Sequence, residues 1–457
     1  MYGCIKWLSR FIGILIFGGI AVGQLANATP KMDMQVEIDP RKQFLQATVK
    51  LSGLSGELGQ VFYLNKDFKI TSAKVNGKKS DFKFDLNGEP PPYVSFARPI
   101  TFRGKVSTVE LTYSGHIKDV IFDVNMISPE LVELALYSAY FPFNSTQIPF
   151  FEYTLNLVLP KTLKVVTNGS VAKQSVKGNQ HHYEIHSIGK SKDVPIIASP
   201  SFKLKTQTMG GLKAEMYYSP KGSKLVDGKI ESMGLALKTF EKRFGKTGES
   251  GILRFAYSPR KGWGYSRLPL FVVSEERALE MLKNPFGKEK DIKGNVHELA
   301  HFWWSIADTN TNNDWINEGL AEYSAFSFSV QQYGEKFRQN VTQSYLEDIR
   351  KTKKKESIVN TTSESPDRYV NWYEKSALLF LVLEEKVGQK PMNAFLTELH
   401  TKFKGTRLAT TEAFFEIAER HLNKDDFEFM KSYLTSSGWS NDQLKKLSDA
   451  GNFKDLL

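Results

Sequence analysis

The feature that most limits what this chain can fold into is a change of hydrophobic period near residue 205. Before it, apolar residues fall at every second position: Met32, Met34, Val36 and Ile38; Leu45, Ala47, Val49 and Leu51; Val109, Leu111 and Tyr113; Tyr153, Leu155, Leu157 and Leu159. A repeat of two is that of a strand with one buried face. Asn76-Gly77, Asn87-Gly88 and Asn168-Gly169 supply turns between the runs. The spacing predicts an antiparallel β saddle or sandwich over 29–205. In 206–457 the texture differs. Ile252 to Tyr257 and Leu270 to Val273 still read as strands, but from Asp291 onward the spacing predicts helices over about 291–306, 316–333, 335–354, 371–387, 390–402 and 410–422. The fold class is α+β, with the sheet domain first and a mainly helical domain second.

The first 28 residues read as an address. Lys6 and Arg10 precede the apolar run Phe11 to Gly23, and Ala26-Asn27-Ala28 offers a small-x-small exit. That is the layout of a secretory signal peptide cleaved after Ala28. The run of 13 residues falls short of the ~20 needed to span a bilayer, so no stable membrane insertion is expected after cleavage. The only cysteine, Cys4, lies inside this segment. An exported chain with no cysteine left after cleavage points to a bacterial periplasmic or secreted protein, and any metal site must use histidine and carboxylate. Lysine and arginine outnumber the acids 61 to 50, but they are spread along the chain and no nucleic-acid-reading motif accompanies them. The lysine run at Lys351 to Lys355 reads as a solvated helix end.

His297-Glu298-Leu299-Ala300-His301 carries the chemistry. On a helix, residues four apart share a face, so both imidazoles can reach one zinc ion. Glu298 sits one step round, placed to hold the attacking water rather than the metal. A third ligand is needed, and Glu318 of Asn317-Glu318-Gly319-Leu320-Ala321-Glu322 lies on the next predicted helix. Three protein ligands with an open fourth position make a catalytic rather than a structural zinc site. Glu322, one turn further, can accept a hydrogen bond from a ligand histidine.

These segments resemble those of the gluzincin aminopeptidases, peptidase family M1, which include alanyl aminopeptidase N and leukotriene hydrolase. Tyr140-Phe141-Pro142, Phe151 to Pro160 and Val165 to Gly169 are similar to the family's amino-terminal sheet domain, and Phe427 to Trp439 to the end of its catalytic domain. The resemblance implies a short two-domain form with a thermolysin-like catalytic half, one Zn²⁺ per chain and a peptide substrate. Tyr373-Glu374-Lys375-Ser376-Ala377 resembles the segment whose tyrosine stabilises the tetrahedral intermediate, which gives that role to Tyr373.

The departures concern substrate recognition. Sixteen residues separate His301 from Glu318, two fewer than is usual in the family. Gly264-Tyr265-Ser266-Arg267-Leu268 aligns with the family's G-A-M-E-N strand, so Arg267 stands where a glutamate binds the substrate's free amine, with Gly264 beside the cleft. A second amine-binding position falls on Glu133. Arg267 would repel a free amino terminus and grip an acidic group, or else be neutralised by an internal ion pair, with Glu133 as one candidate. The reading is a zinc metallopeptidase, aminopeptidase-like, with altered amino-terminus recognition. A zinc hydrolase of a non-peptide substrate and a non-catalytic binding protein on the same fold remain as alternatives. His181, His182 and His186 read as a surface strand, and His116, His400 and His421 as isolated.

Overall fold

A computed structural model describes residues 29–450 apart from 56–59, 92–93, 118–123, 145–149, 210–211, 247–250 and 353–355. The address segment with Cys4, and the last three lysines of the run at 351–355, lie outside the described residues.

Strand Lys31–Asp39 alternates exposed and buried residues along its length, as its period-two pattern requires. It sits in the middle of an eight-stranded sheet. Phe44–Ser52 pairs with it antiparallel on one side, and Glu152–Pro160 pairs with it parallel on the other. The wholly antiparallel sheet expected from the sequence is corrected at that one ladder. A parallel neighbour needs a long crossover, and here the chain between the two strands builds the rest of the sheet and two smaller ones before returning. A four-stranded sheet includes Val132–Leu134 and Ile196–Ser199, and a three-stranded sheet completes this half.

The second half opens with a five-stranded sheet whose first strand is Lys203–Met209, so a division at 205 falls inside that strand. Its far edge is Tyr265–Arg267, hydrogen-bonded only to Leu270–Ser274. Ten helices follow or interleave among the described residues: α1 (Lys229–Phe244), α2 (Glu275–Met281), α3 (Gly287–Ala300), α4 (Asp314–Tyr333), α5 (Glu335–Lys351), α6 (Ser376–Val387), α7 (Gln389–Phe403), α8 (Thr411–His421), α9 (Lys424–Thr435) and α10 (Asn441–Ala450). Helix α1 is absent from the sequence expectation. Its buried Ile230, Met233, Leu237, Phe240 and Phe244 do recur at helical steps, but strands flank it on both sides and mask the change of period.

Each half has its own apolar core. A small third cluster joins Leu131, Ala135, Ile197 and Phe202 to Ala256, Tyr265, Leu270 and Val272. The seam between the halves therefore runs past the edge strand Tyr265–Arg267.

Candidate active site

Helix α3 is fixed at both ends. Near its start, Lys229 of α1 bonds Asp291 and Tyr257 in a buried network that Asn295 joins at 3.2 Å from the Tyr257 hydroxyl. At its end the helix stops at Ala300, six residues before the expected boundary. Trp303 and Trp304 are the cause. Their rings insert edge-on against Phe240 and Phe244 of α1, and their indole N–H groups donate to the Gly245 carbonyl (2.7 Å) and to Ser324 of α4 (2.9 Å). The chain must leave the helix to reach those partners.

The short connection to α4 is held by Asn317. Its amide oxygen accepts from the Ile306 and Ala307 backbone N–H groups at 2.9 and 3.0 Å, while its amide nitrogen donates to the Ala307 carbonyl and to Asp314. All four hydrogen-bonding positions of the side chain are used. Glu318, the next residue, is thereby set against α3.

Ligand atoms of His297, His301 and Glu318 lie within 4.8 Å of one another, and no other such group occurs among the described residues. Both Nε2 atoms approach Glu318 Oε2 at 3.3 Å. The opposite ring nitrogens are already committed. His297 Nδ1 donates to Glu322 at 2.8 Å, and His301 Nδ1 donates to the Trp304 carbonyl at 3.1 Å. Those bonds fix the tautomers with both Nε2 lone pairs facing the cluster. Glu318 Oε2 is buried without a hydrogen-bond partner, which in a protein interior calls for a cation. Burial opposes charge on His297, yet the Glu318 and Glu322 carboxylates beside it outweigh this and push its pKa up to about 10, so its surroundings favour positive charge. An N, N, O donor set of this kind fits zinc. Glu322 is itself oriented, accepting from Lys293 and from the Tyr345 hydroxyl.

Glu298 lies half-buried beside the cluster, and burial raises its pKa above the ordinary carboxylate range. Gly264 faces it so closely that a Cβ there would stand 2.8 Å from Glu298 Oε1. Gly264 thus makes room for the Glu298 carboxylate.

Tyr373 lies on a π-helical turn, Val370–Lys375, that precedes α6. Such turns shift the register of the residues they carry. The ring stacks on His297 with centroids 5.5 Å apart and 15° between planes, and on its other side against Tyr369. Burial first, and then the charge of Glu318, raise its pKa well above that of an ordinary tyrosine. The close approach of this segment to α4 depends on Gly319, where a Cβ would meet Ser376 Cβ at 2.7 Å.

Residues 286–433 match the family described as Peptidase family M1 domain. They contain all three candidate ligands, Glu298 and Tyr373. This segment is similar to a peptidase family M1 domain. No relative is found among curated protein sequences. Among solved structures, an M1 zinc metallopeptidase from Deinococcus radiodurans in a complex with a Tyr-Ser-Ala substrate superposes with a TM-score of 0.70 at 14% identity, covering 90% of this chain and 94% of that one. A second structure of that protein gives a TM-score of 0.72 at 14% identity, covering 90% and 96%. A two-domain M1 zinc metallopeptidase bound to L-tryptophan gives 0.70 at 15% identity, covering 90% and 96%. The two-domain α+β fold is thus shared.

Around the M1 domain's zinc cluster, two of the expected recognition residues stand differently from expectation. Glu133 is fully buried and presents no carboxylate to the cleft. Its Oε2 accepts from Ser258 and from Arg260 Nε (2.8 Å), and its Oε1 accepts from the Tyr265 hydroxyl (3.0 Å). A buried carboxylate so enclosed holds the seam together. Arg267 does not pair with Glu133 but with Asp193, Nε to Oδ2 at 2.5 Å. Asp193 comes from the sheet half, where its Oδ1 is fixed by the backbone N–H groups of Leu136 and Val194. Tyr137 and Tyr265 flank the guanidinium at 5.2 and 5.3 Å. Sequence reasoning missed Asp193, Lys293 and Tyr345, because each acts through a partner distant in the chain, and Asn317, whose partners lie in the adjoining connection. Of the other histidines, His400 is buried against the Trp303 carbonyl, while His186 pairs with Glu184 on the surface.

Proposed function

We propose that this chain hydrolyses peptide bonds at the cluster of His297, His301 and Glu318, with Glu298 as general base and Tyr373 as oxyanion donor. The observation that carries this reading is the convergence of three candidate ligand atoms with a raised-pKa carboxylate and a tyrosine at one place. A zinc ion held there supplies Lewis-acid polarisation of the scissile carbonyl and makes water more acidic.

Glu298 takes the proton of the attacking water and passes it to the leaving amine. Its raised pKa brings it closer to neutrality, where a group can both accept and give back a proton. Glu322, held by Lys293 and Tyr345, keeps His297 in the tautomer that faces the metal. Tyr373 keeps its proton and donates it as a hydrogen bond to the oxygen that becomes negative, a contact stronger in the transition state than in the ground state. The free edge of Tyr265–Arg267 offers backbone groups to an extended peptide in β-augmentation. The tripeptide bound by the Deinococcus radiodurans relative supports a short peptide as substrate. Altered recognition of the amino terminus is supported only by the lack of a carboxylate at position 267, since Arg267 is itself neutralised by Asp193. Residues 29–205 and 206–457 would form the sheet and catalytic domains.

The test is turnover of short peptides by the zinc-loaded chain, each with a free and an acetylated amino terminus. Hydrolysis should survive acetylation, since no carboxylate occupies the position of Arg267. Tyr373→Phe should lower kcat by ~10²–10³ with little change in KM. No turnover of any peptide would overturn the peptidase reading. Loss of turnover on acetylation would overturn altered recognition alone, and an unchanged kcat would remove Tyr373 from the mechanism.

Export through residues 1–28 is supported by their charged, apolar and small-residue order. Among the described residues no helix is long and apolar enough to cross a membrane. The mature protein should begin at Thr29. Amino-terminal sequencing that returned Met1 from the exported fraction would count against cleavage.

A further inference from the structure

A short path of hydrogen bonds runs from the sheet half to Glu298. It begins at Glu133, in the middle of strand Val132–Leu134. Its carboxylate crosses the seam and accepts from Ser258, Arg260 and Tyr265. Ser258 ends strand Ile252–Ser258, and Tyr265 begins the edge strand Tyr265–Arg267. The connection between them, residues 259–264, is the one that passes beside Glu298. Pro259, Lys261 and Trp263 are exposed there, and Gly262 has φ +86°. Apolar packing therefore holds this connection only weakly.

Arg260 holds it instead. Its Nε donates to Glu133 Oε2 at 2.8 Å, while Nη1 donates to the Lys261 carbonyl at 2.7 Å and to the Trp263 carbonyl at 2.9 Å. Its own carbonyl accepts from the Ser274 hydroxyl at 2.6 Å, at the start of α2. The guanidinium is a rigid fork, so one side chain can face a carboxylate and two carbonyls at once. A buried ion pair adds little stability over apolar packing of the same volume. Cohesion of the seam alone does not account for an arginine here, whereas bonds placed on one connection do.

The Trp263 carbonyl shares a peptide plane with the Gly264 nitrogen, so fixing the one orients the other. A Cβ at Gly264 would stand 2.8 Å from Glu298 Oε1 and 3.1 Å from the Val272 carbonyl. On the other side of Gly264, Tyr265 lies opposite Val272 in the ladder, and its hydroxyl returns to Glu133 at 3.0 Å. The Gly264 backbone is thus gripped from both neighbours, with the Glu298 carboxylate against it. An inward shift would push that carboxylate aside, and an outward one would let it turn away from the ligand cluster.

We propose that Arg260, anchored by Glu133, is a positioning residue that sets the Gly264 backbone against Glu298 and so aims the general base. The inference rests on the reading of Glu298 as that base. Glu133 then serves the reaction from the sheet half without touching the peptide.

Arg260→Lys tests this, because lysine keeps the charge beside Glu133 but cannot hold the two carbonyls while it stays paired. Misplacing a reacting group by about 1 Å costs up to ~10² in rate, so kcat should fall by ~10–10² with KM and zinc content little changed. Groups that act through one another are not additive, so the same substitution should cost nothing further in the residual turnover of Glu298→Gln. Amide hydrogen exchange over 261–266 should quicken in Arg260→Lys, while that of α4 stays as in the wild type. Glu133→Gln, which keeps an acceptor toward Arg260, should lie between the wild type and Arg260→Lys on both measures. An unchanged kcat in Arg260→Lys would overturn the proposal. A raised KM at constant kcat would do so by making Arg260 a substrate contact, and an equal further loss in Glu298→Gln would show that it acts elsewhere. Failure of both Arg260→Lys and Glu133→Gln to fold would also overturn it, since the pair then serves the fold. If the wild-type chain cleaves no peptide, the peptidase reading falls, while the exchange over 261–266 still decides whether Arg260 holds the Gly264 backbone.

Discussion

Zinc content should fall from about one per chain in the wild type to a small fraction of that in Glu318→Ala, with hydrolysis lost alongside it. Two histidines four residues apart make an incomplete set, and a catalytic zinc needs a third protein ligand. In this chain both Nε2 atoms already face Glu318 Oε2 at 3.3 Å. Removing the carboxylate therefore removes one ligand and the charge that balances the cation. Fold loss is a separate outcome, and circular dichroism distinguishes it. The side chain sits on α4, whose other buried residues, from Trp315 to Ser329, keep that helix in place. Metal analysis that found Glu318→Ala as zinc-loaded as the wild type would show the ligand to be another residue.

Glu298→Gln should behave in the opposite way, keeping its zinc and losing turnover. The amide has nearly the shape of the carboxylate and still fits the space that Gly264 leaves, but it cannot accept the water's proton. General-base catalysis of this kind contributes ~10²–10⁴ in rate, so kcat should fall by that factor. KM should change little, because Glu298 holds the water rather than the peptide. A fall of less than about 10-fold in kcat, with zinc intact, would move the base to another group.

Much of this was legible in the sequence because it depends on local spacing. Period-two alternation made the first half a sheet, since a strand with one wet face permits no other pattern. Two histidines one helical turn apart had to share a face, and Glu318 and Glu322 had to share another. The residue types then limited the metal, because a chain whose only cysteine lies in the address segment must use imidazole and carboxylate.

Tertiary structure decided everything that joins distant segments. Whether Lys31–Asp39 finds its second neighbour parallel or antiparallel depends on where a strand more than a hundred residues later returns, and nothing within the strand records that. The partner of Arg267 was decided in the same way. Glu133 and Asp193 are both acidic, both in the sheet half, and both reach the seam. Only the paths of Val132–Leu134 and of the segment before Ile196–Ser199 place the first against Arg260 and the second against Arg267. The end of α3 at Ala300 likewise depended on where two indole rings found their cavity. Side-chain spacing is a property of the chain, but the field around a charge belongs to the folded whole. The sequence alone thus determined which candidate ligands share a helix face, and the fold determined which distant charges pair at the seam between the halves.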